Sequence, residues 1–172
     1  ERQMAVFVPR DIDPPSSRGE YLAQLESLLF DLHMEMGGSV LTLFTNRRDM
    51  DALYRVIGPR LREHGLGLLI QGRGASAKRL RDEFVADERL SLFATKSFWE
   101  GFDAKGDTLR CVVVPKLPFG PVNDPLLEER KERDGAWWQH YYLPEAIIEL
   151  KQAAGRLARS STDEGRVVLA DT

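Results

Sequence analysis

The chain has 172 residues, 42% of them hydrophobic and 30% charged, with a formal net charge of −3. These are the proportions of a soluble globular domain able to bury a full core, and the acidic balance argues against a broad basic surface that holds duplex nucleic acid by charge alone. No apolar run approaches the ~20 residues needed to cross a bilayer and nothing resembles a signal peptide, so a cytoplasmic protein with no membrane partner is the default. One cysteine, Cys111, and three scattered histidines, His33, His64 and His140, leave no basis for a disulfide framework, a cysteine-held cluster or a histidine-rich metal site.

Met4-Ala-Val-Phe-Val8 reads as a short strand ended by Pro9, and Asp11 to Ser17 as an irregular connection. A helix follows, capped by Ser16 or Ser17, with Tyr21, Leu25, Leu28, Leu29, Leu32 and Met36 as its apolar stripe before Gly37-Gly38. Residues 1–36 thus form a lead-in strand and helix. Ser39 to Thr45 is rich in β-formers, Asn46-Arg-Arg-Asp49 is a loop, and a helix runs from about Met50 to His64. The unit repeats: Leu66–Ile70 as strand, Gln71-Gly-Arg-Gly74 as an ordinary turn, Ser76–Ala86 as helix. Strands at Leu90–Thr95 and Leu109–Val114 each open into a long loop, a helix spans about Pro144 to Ser160, and a last strand covers Arg166–Ala170.

Strands alternating with helices predict an α/β three-layer αβα domain with a mainly parallel sheet, the whole of 1–172 being one domain. In such sheets ligands gather outside the carboxyl ends of the strands, where the loops after Thr45, Ile70, Thr95 and Val114 emerge. Residues 121–143 read as a helical insertion, charged from Asn123 to Asp134 and then aromatic at Trp137-Trp-Gln-His-Tyr-Tyr142. The aromatic stretch reads first as a packing anchor, with a base-stacking platform as the alternative. Arg47-Arg48 and Lys78-Arg79-Leu-Arg81 are either solvated helix residues or contacts to a phosphate backbone.

Two stretches carry the chemistry. In Gln152-Ala-Ala-Gly-Arg-Leu-Ala-Arg159, helical spacing puts Gln152, Gly155, Arg156 and Arg159 on one face, suited to an anion, while Ile147, Leu150, Ala154 and Leu157 form a stripe that can dock on a sheet. Two arginines on an amphipathic helix can equally be a solvated face. Gly155 argues against that, since a mid-helix glycine costs about 1 kcal/mol relative to alanine and usually marks a close approach. The second stretch, Ser97 to Asp107, sets Glu100, Asp103 and Asp107 beside Gly101 and Gly106, so it can bind a ribose hydroxyl, metal-bound water or a neighbouring arginine, or serve only as a turn.

Ser97-Phe-Trp-Glu-Gly-Phe-Asp-Ala-Lys-Gly-Asp107, followed by a hydrophobic strand and Lys116-Leu-Pro-Phe119, resembles motif V of the DinG branch of the XPD/DinG DNA helicases of superfamily two. Gln152 to Arg159, with Asp163 and Gly165, is similar to their motif VI, and Val40 to Asn46 to their motif IV. The order is that of the family, and the resemblance runs from about Gly37 to the C-terminus. It implies the second RecA-like motor domain of a helicase, with the preceding RecA-like domain of the same protein as partner. It also implies ATP with Mg²⁺ as cofactor, held mostly by that preceding domain, together with single-stranded DNA, 5′-to-3′ movement and a role in DNA repair.

The resemblance makes Arg159 the first choice for an arginine finger and Arg156 the second. Gln152 and Gly155 would contact the nucleotide, and Glu100, Gly101 and Asp103 would couple it to the DNA. Thr45, Asn46, Arg47, Lys96 and Ser97 would face the DNA backbone. Asp163 would orient an arginine or only form a turn. No G-x-x-x-x-G-K-[S/T] loop or D-E-x-H box occurs in the sequence, so hydrolysis by this segment alone is not expected. Any iron–sulfur cluster would lie outside it. The chain reads as an excised piece of a longer protein. Two other readings stand beside this one: a non-catalytic nucleic-acid-binding or protein-interaction module, and an unrelated nucleotide-binding domain with Gln71–Gly74 as its weak phosphate loop.

Overall fold

A computed structural model describes residues 4–95, 98, 108–121, 123–155 and 165–171. Six strands form one sheet: β1 (Met4–Phe7), β2 (Val40–Phe44), β3 (Gly67–Ile70), β4 (Leu90–Thr95), β5 (Cys111–Val114) and β6 (Gly165–Leu169), in the order β1-β6-β5-β2-β4-β3. Every pairing is parallel, with Leu41 opposite Leu92, Val40 opposite Cys111 and Cys111 opposite Arg166 fixing the register of the central strands. The expected α/β three-layer architecture is present. All residues of β2 and β5 are buried, including the polar Thr42, as strands covered on both faces require.

Helices α1 (Arg18–Met36) and α2 (Arg47–Glu63) cover one face, where Leu25, Leu29, Met50, Leu53, Ile57 and Leu61 meet Val40, Phe44, Phe93 and Val113. Helices α3 (Ala77–Ala86) and α5 (Leu143–Ala154) cover the other, with Leu80, Phe84 and Ala153 against Leu41, Leu43, Leu92, Val112 and Val167. Helix α2 continues through Pro59, whose missing donor and ring clash cost ~3 kcal/mol in a helix interior. Four fully or nearly fully buried side chains, Met50, Leu53, Ile57 and Leu61, hold the helix on the sheet across that break.

Three expectations need correction. The second helix begins at Arg47, not near Met50, because Asn46 caps it: Asn46 Oδ1 accepts from the Arg48 amide at 2.8 Å. The docked stripe of α5 is Ala146, Leu150, Ala153 and Ala154, whereas Ile147 and Ile148 are 40% and 54% exposed. The buried side of α5 is thus mostly alanine, and the larger isoleucines face away from it. Gly155 stands at the C-cap of α5 with φ −64° and ψ −7°, rather than inside a helix among the described residues.

The insertion contains α4 (Pro125–Arg133) and a π-helical turn, Trp138–Tyr142, that leads into α5. Its aromatics pack against the loop after β5. Tyr142 stacks on Phe119 at 5.0 Å between ring centroids and donates to the Gly120 carbonyl at 2.5 Å, and Trp138 lies 5.2 Å from Phe119. That is the anchor arrangement, although Trp138 keeps 40% of its surface exposed.

Candidate nucleic-acid interface at the strand ends

After β2 the chain crosses to β3 at one side of the sheet, and after β4 it crosses back to β5 and on to β6 at the other. The connections therefore diverge between β2 and β5, the place where open parallel sheets form a crevice beyond their carboxyl ends. Here that crevice is a cavity of about 140 Å³ between Thr45-Asn46, Pro115-Lys116 and the start of α1, with Arg18, Tyr21 and Asp49 among its walls.

The polar groups around the crevice are braced from both helices. Asn46 Nδ2 donates to Asp49 Oδ2 at 3.1 Å, and Arg18 donates through Nε at 3.2 Å and through Nη2 to Asp49 Oδ1. Tyr21 donates its hydroxyl to the Pro115 carbonyl, while the Leu117 amide donates to Asp171 at 2.7 Å. Burial first, and then the carboxylates of Asp171 and Asp49, raise the Tyr21 phenol above its ordinary range, so this hydroxyl stays protonated and remains a donor.

The site residues expected from sequence fall into three groups. Thr45, Asn46 and Arg47 lie at the carboxyl end of β2 and are exposed. The Asn46 side chain is committed to the helix cap and to Asp49, so the outward-facing chemistry of this corner comes from Thr45, Arg47, Arg48 and Lys116. Gln152 and Gly155 are exposed at the end of α5. Lys96, Ser97, Glu100, Gly101, Asp103, Arg156 and Arg159 lie outside the described residues, as do Asp107 and Asp163.

Sequence reasoning missed the contacts that bind adjacent loops together. Gly72, at φ +93°, lies beneath the Arg47 guanidinium, and a Cβ added there would sit 2.9 Å from both Nη atoms. Arg73 reaches back to Asp51 at 3.4 Å and lies over the Tyr54 ring at 4.6 Å. Gln71 Oε1 accepts from the Thr95 amide and from its hydroxyl. The glycines flanking Arg73 were the available signal. No group of three or more potential metal ligands occurs among the described residues.

Comparison with known proteins agrees with this arrangement. Residues 29–172 match the helicase C-terminal domain family. The ATP-dependent DNA helicase YoaA of Escherichia coli is 36% identical over 175 residues, covering 99% of this chain and 27% of that protein. The ATP-dependent helicase DinG of Mycobacterium tuberculosis is 32% identical over 171 residues, covering 97% and 25%. A solved XPD helicase superposes with a TM-score of 0.77 at 18% identity, covering 98% of this chain and 31% of that one. The helicase MrfA bound to DNA gives 0.62 at 11% identity, covering 98% and 20%. The chain spans about a quarter of the length of the YoaA and DinG relatives. With the parallel sheet, the strand-end crevice and the matched 144-residue span from 29 to 172, the chain belongs to the helicase C-terminal domain family, in its XPD/DinG branch.

Proposed function

We propose that this chain is the second motor domain, 1–172, of an ATP-dependent DNA helicase, with the strand-end edge as part of a single-stranded DNA track. The observation that carries the reading is the placing of Thr45 and Lys116 on the walls of the switch-point crevice of an all-parallel sheet, with exposed Arg47 following Asn46 of the same wall in the chain. A hydroxyl and cations suit phosphodiester oxygens, which are bound mainly by such groups. Lys96 and Ser97, which follow β4 in sequence, extend the same track.

Motif VI supplies the other half of the reading. Arg159, with Arg156 as second, reaches the γ-phosphoryl oxygens of ATP bound mainly by a preceding RecA-like domain, and Gln152 and Gly155 line the same cleft. An arginine supplied across an interface contributes about 10³- to 10⁵-fold to phosphoryl transfer by stabilising transition-state charge. Glu100, Gly101 and Asp103 couple the cleft to the track. Mg²⁺ and the attacking water are positioned by the preceding domain, since this chain carries no phosphate loop or metal-holding acidic box. Movement is 5′ to 3′ by resemblance to the family.

Steady-state ATP hydrolysis tests the proposal. The full-length protein is expected to be stimulated by single-stranded DNA, and the 172-residue segment alone is expected to hydrolyse nothing. Hydrolysis by the pure segment, or a full-length protein indifferent to DNA, would overturn it.

A further inference from the structure

The walls of the switch-point crevice bring together Arg18 from the first turn of α1, Thr45 just after β2 and Lys116 from the loop after β5. The other polar side chains on these walls are already used. Tyr21 donates its hydroxyl to the Pro115 carbonyl, Asn46 accepts from the Arg48 amide and donates to Asp49, and both Asp49 oxygens accept. What remains is a surplus of donors: the Thr45 hydroxyl and the Lys116 ammonium have no partner among the described residues.

Arg18 adds to that surplus. It precedes residues 29–172, the span that matches the helicase family, yet it lines the same crevice. A guanidinium has five N–H donors. The Nε–Nη2 edge of Arg18 is held by Asp49 Oδ1, and the Nη1–Nη2 edge has no partner among the described residues on a side chain that is half-exposed. Such an edge matches a phosphate with two parallel hydrogen bonds. The described lining holds two cations, Arg18 and Lys116, against the one carboxylate of Asp49, so the crevice favours an anion. The Asp171 carboxylate, which also acts on Tyr21, accepts from the Leu117 amide.

We propose that Arg18 is a DNA-binding residue. Asp49 orients its guanidinium by one edge, and the other edge takes a phosphodiester group of the single strand in the crevice, beside Thr45 and Lys116. The inference rests on the reading of this edge of the sheet as a single-stranded DNA track. Because the contact is to phosphate, it is indifferent to the base.

The test uses the full-length protein and the fluorescence anisotropy of labelled oligothymidylate and oligodeoxyadenylate across a salt series. Loss of one phosphate contact lowers the slope of log affinity against log salt by about 0.7 for a single strand, or about fivefold in affinity at about 0.1 M salt. Arg18→Gln is expected to show both changes with both oligonucleotides. Arg18→Met, equally uncharged, stands in should the glutamine variant fold poorly. Arg18→Lys keeps the charge and is expected to keep the wild-type slope. Asp49→Asn loosens the tie but leaves the cation, and is expected not to lower the slope.

A slope unchanged in the uncharged Arg18 variants overturns the inference. So does an equal fall in Asp49→Asn, which would mean that Arg18 acts only by bracing Asp49. A loss with one oligonucleotide and not the other overturns the phosphate assignment. Lys116→Gln separates these failures from that of the track: if it lowers the slope while Arg18→Gln does not, the Arg18 assignment alone falls. If neither lowers it, the DNA-track reading falls as well.

Discussion

Arg18 on α1 and Asp49 on α2 are joined across the mouth of the switch-point crevice, the guanidinium donating twice to one carboxylate oxygen while the other accepts from Asn46. The lead-in helix is thus tied to the residue that caps α2. With Arg18 and Asp49 side chains 45% and 21% exposed, the pair itself contributes at most about 1 kcal/mol. Its importance lies in fixing Asn46 and hence the orientation of the first turn of α2, which carries Arg47 and Arg48.

Asn46→Ala should then destabilise the protein by about 1 kcal/mol through loss of the cap, lowering the midpoint of thermal unfolding by about 2–4 °C. Asn46→Ser should retain most of the stability, because a hydroxyl also accepts from the Arg48 amide and sets no second carboxylate beside Asp49. Thermal unfolding of the two variants checks both statements, and equal losses would contradict the capping role.

Gly72→Ala combines a backbone cost with a steric one. A side chain at φ +93° is strained, and its Cβ would press on Arg47. A destabilisation of about 1 kcal/mol or more is expected, together with weaker binding of single-stranded DNA because Arg47 must move. Fluorescence anisotropy with a labelled oligonucleotide reads the second effect. Arg47→Ala in the same background should add little further loss, since the alanine at 72 has already displaced the guanidinium.

The core holds a histidine whose titration opposes folding. His33 is fully buried on the inner face of α1, with Nδ1 2.5 Å from the Leu29 carbonyl and with Nε2 unpartnered among the described residues. Burial pushes its imidazole from the ordinary 6.5 down to about 4. Between these values the unfolded chain binds a proton that the folded chain refuses, so stability falls as pH drops from 6.5 towards 4 and this contribution is flat above 6.5. The loss from this residue reaches about 3 kcal/mol. Denaturant unfolding across that range should show a shallower slope in His33→Leu than in wild type.

Tyr142→Phe should cost about 1 kcal/mol by removing the donor to the Gly120 carbonyl while leaving the stack on Phe119 intact. Tyr142→Ala should cost about 3–5 kcal/mol, because the buried ring is lost as well. A small difference between the two in thermal unfolding would argue against the aromatic stretch as an anchor.

How far the sequence could be read depended on whether a feature was local. Cys111–Val114 is a run of apolar residues and Val40–Phe44 is one interrupted only by Thr42, and their burial on both faces follows from that composition. The start of α2 was also readable, since Asn46 followed three residues later by Asp49 is an N-terminal signature, but Arg47-Arg48 disguised it as loop. On α5 both the isoleucine and the alanine faces share Leu150, and size favoured the wrong one. Gln71 with Thr95 and Arg47 with Gly72 are contacts between residues 24 and 25 positions apart, created only when β3 and β4 pair beside β2.

In the proposed split site, motif VI, Gln152 to Arg159, completes an active site whose other wall lies on a preceding domain. Steady-state ATP hydrolysis by the full-length protein carrying Arg159→Ala, in saturating single-stranded DNA, tests it most directly. Turnover should fall by about 10³-fold or more, with nucleotide binding retained. Unchanged DNA-stimulated turnover would contradict the assignment of Arg159 as the finger and, with it, the split site.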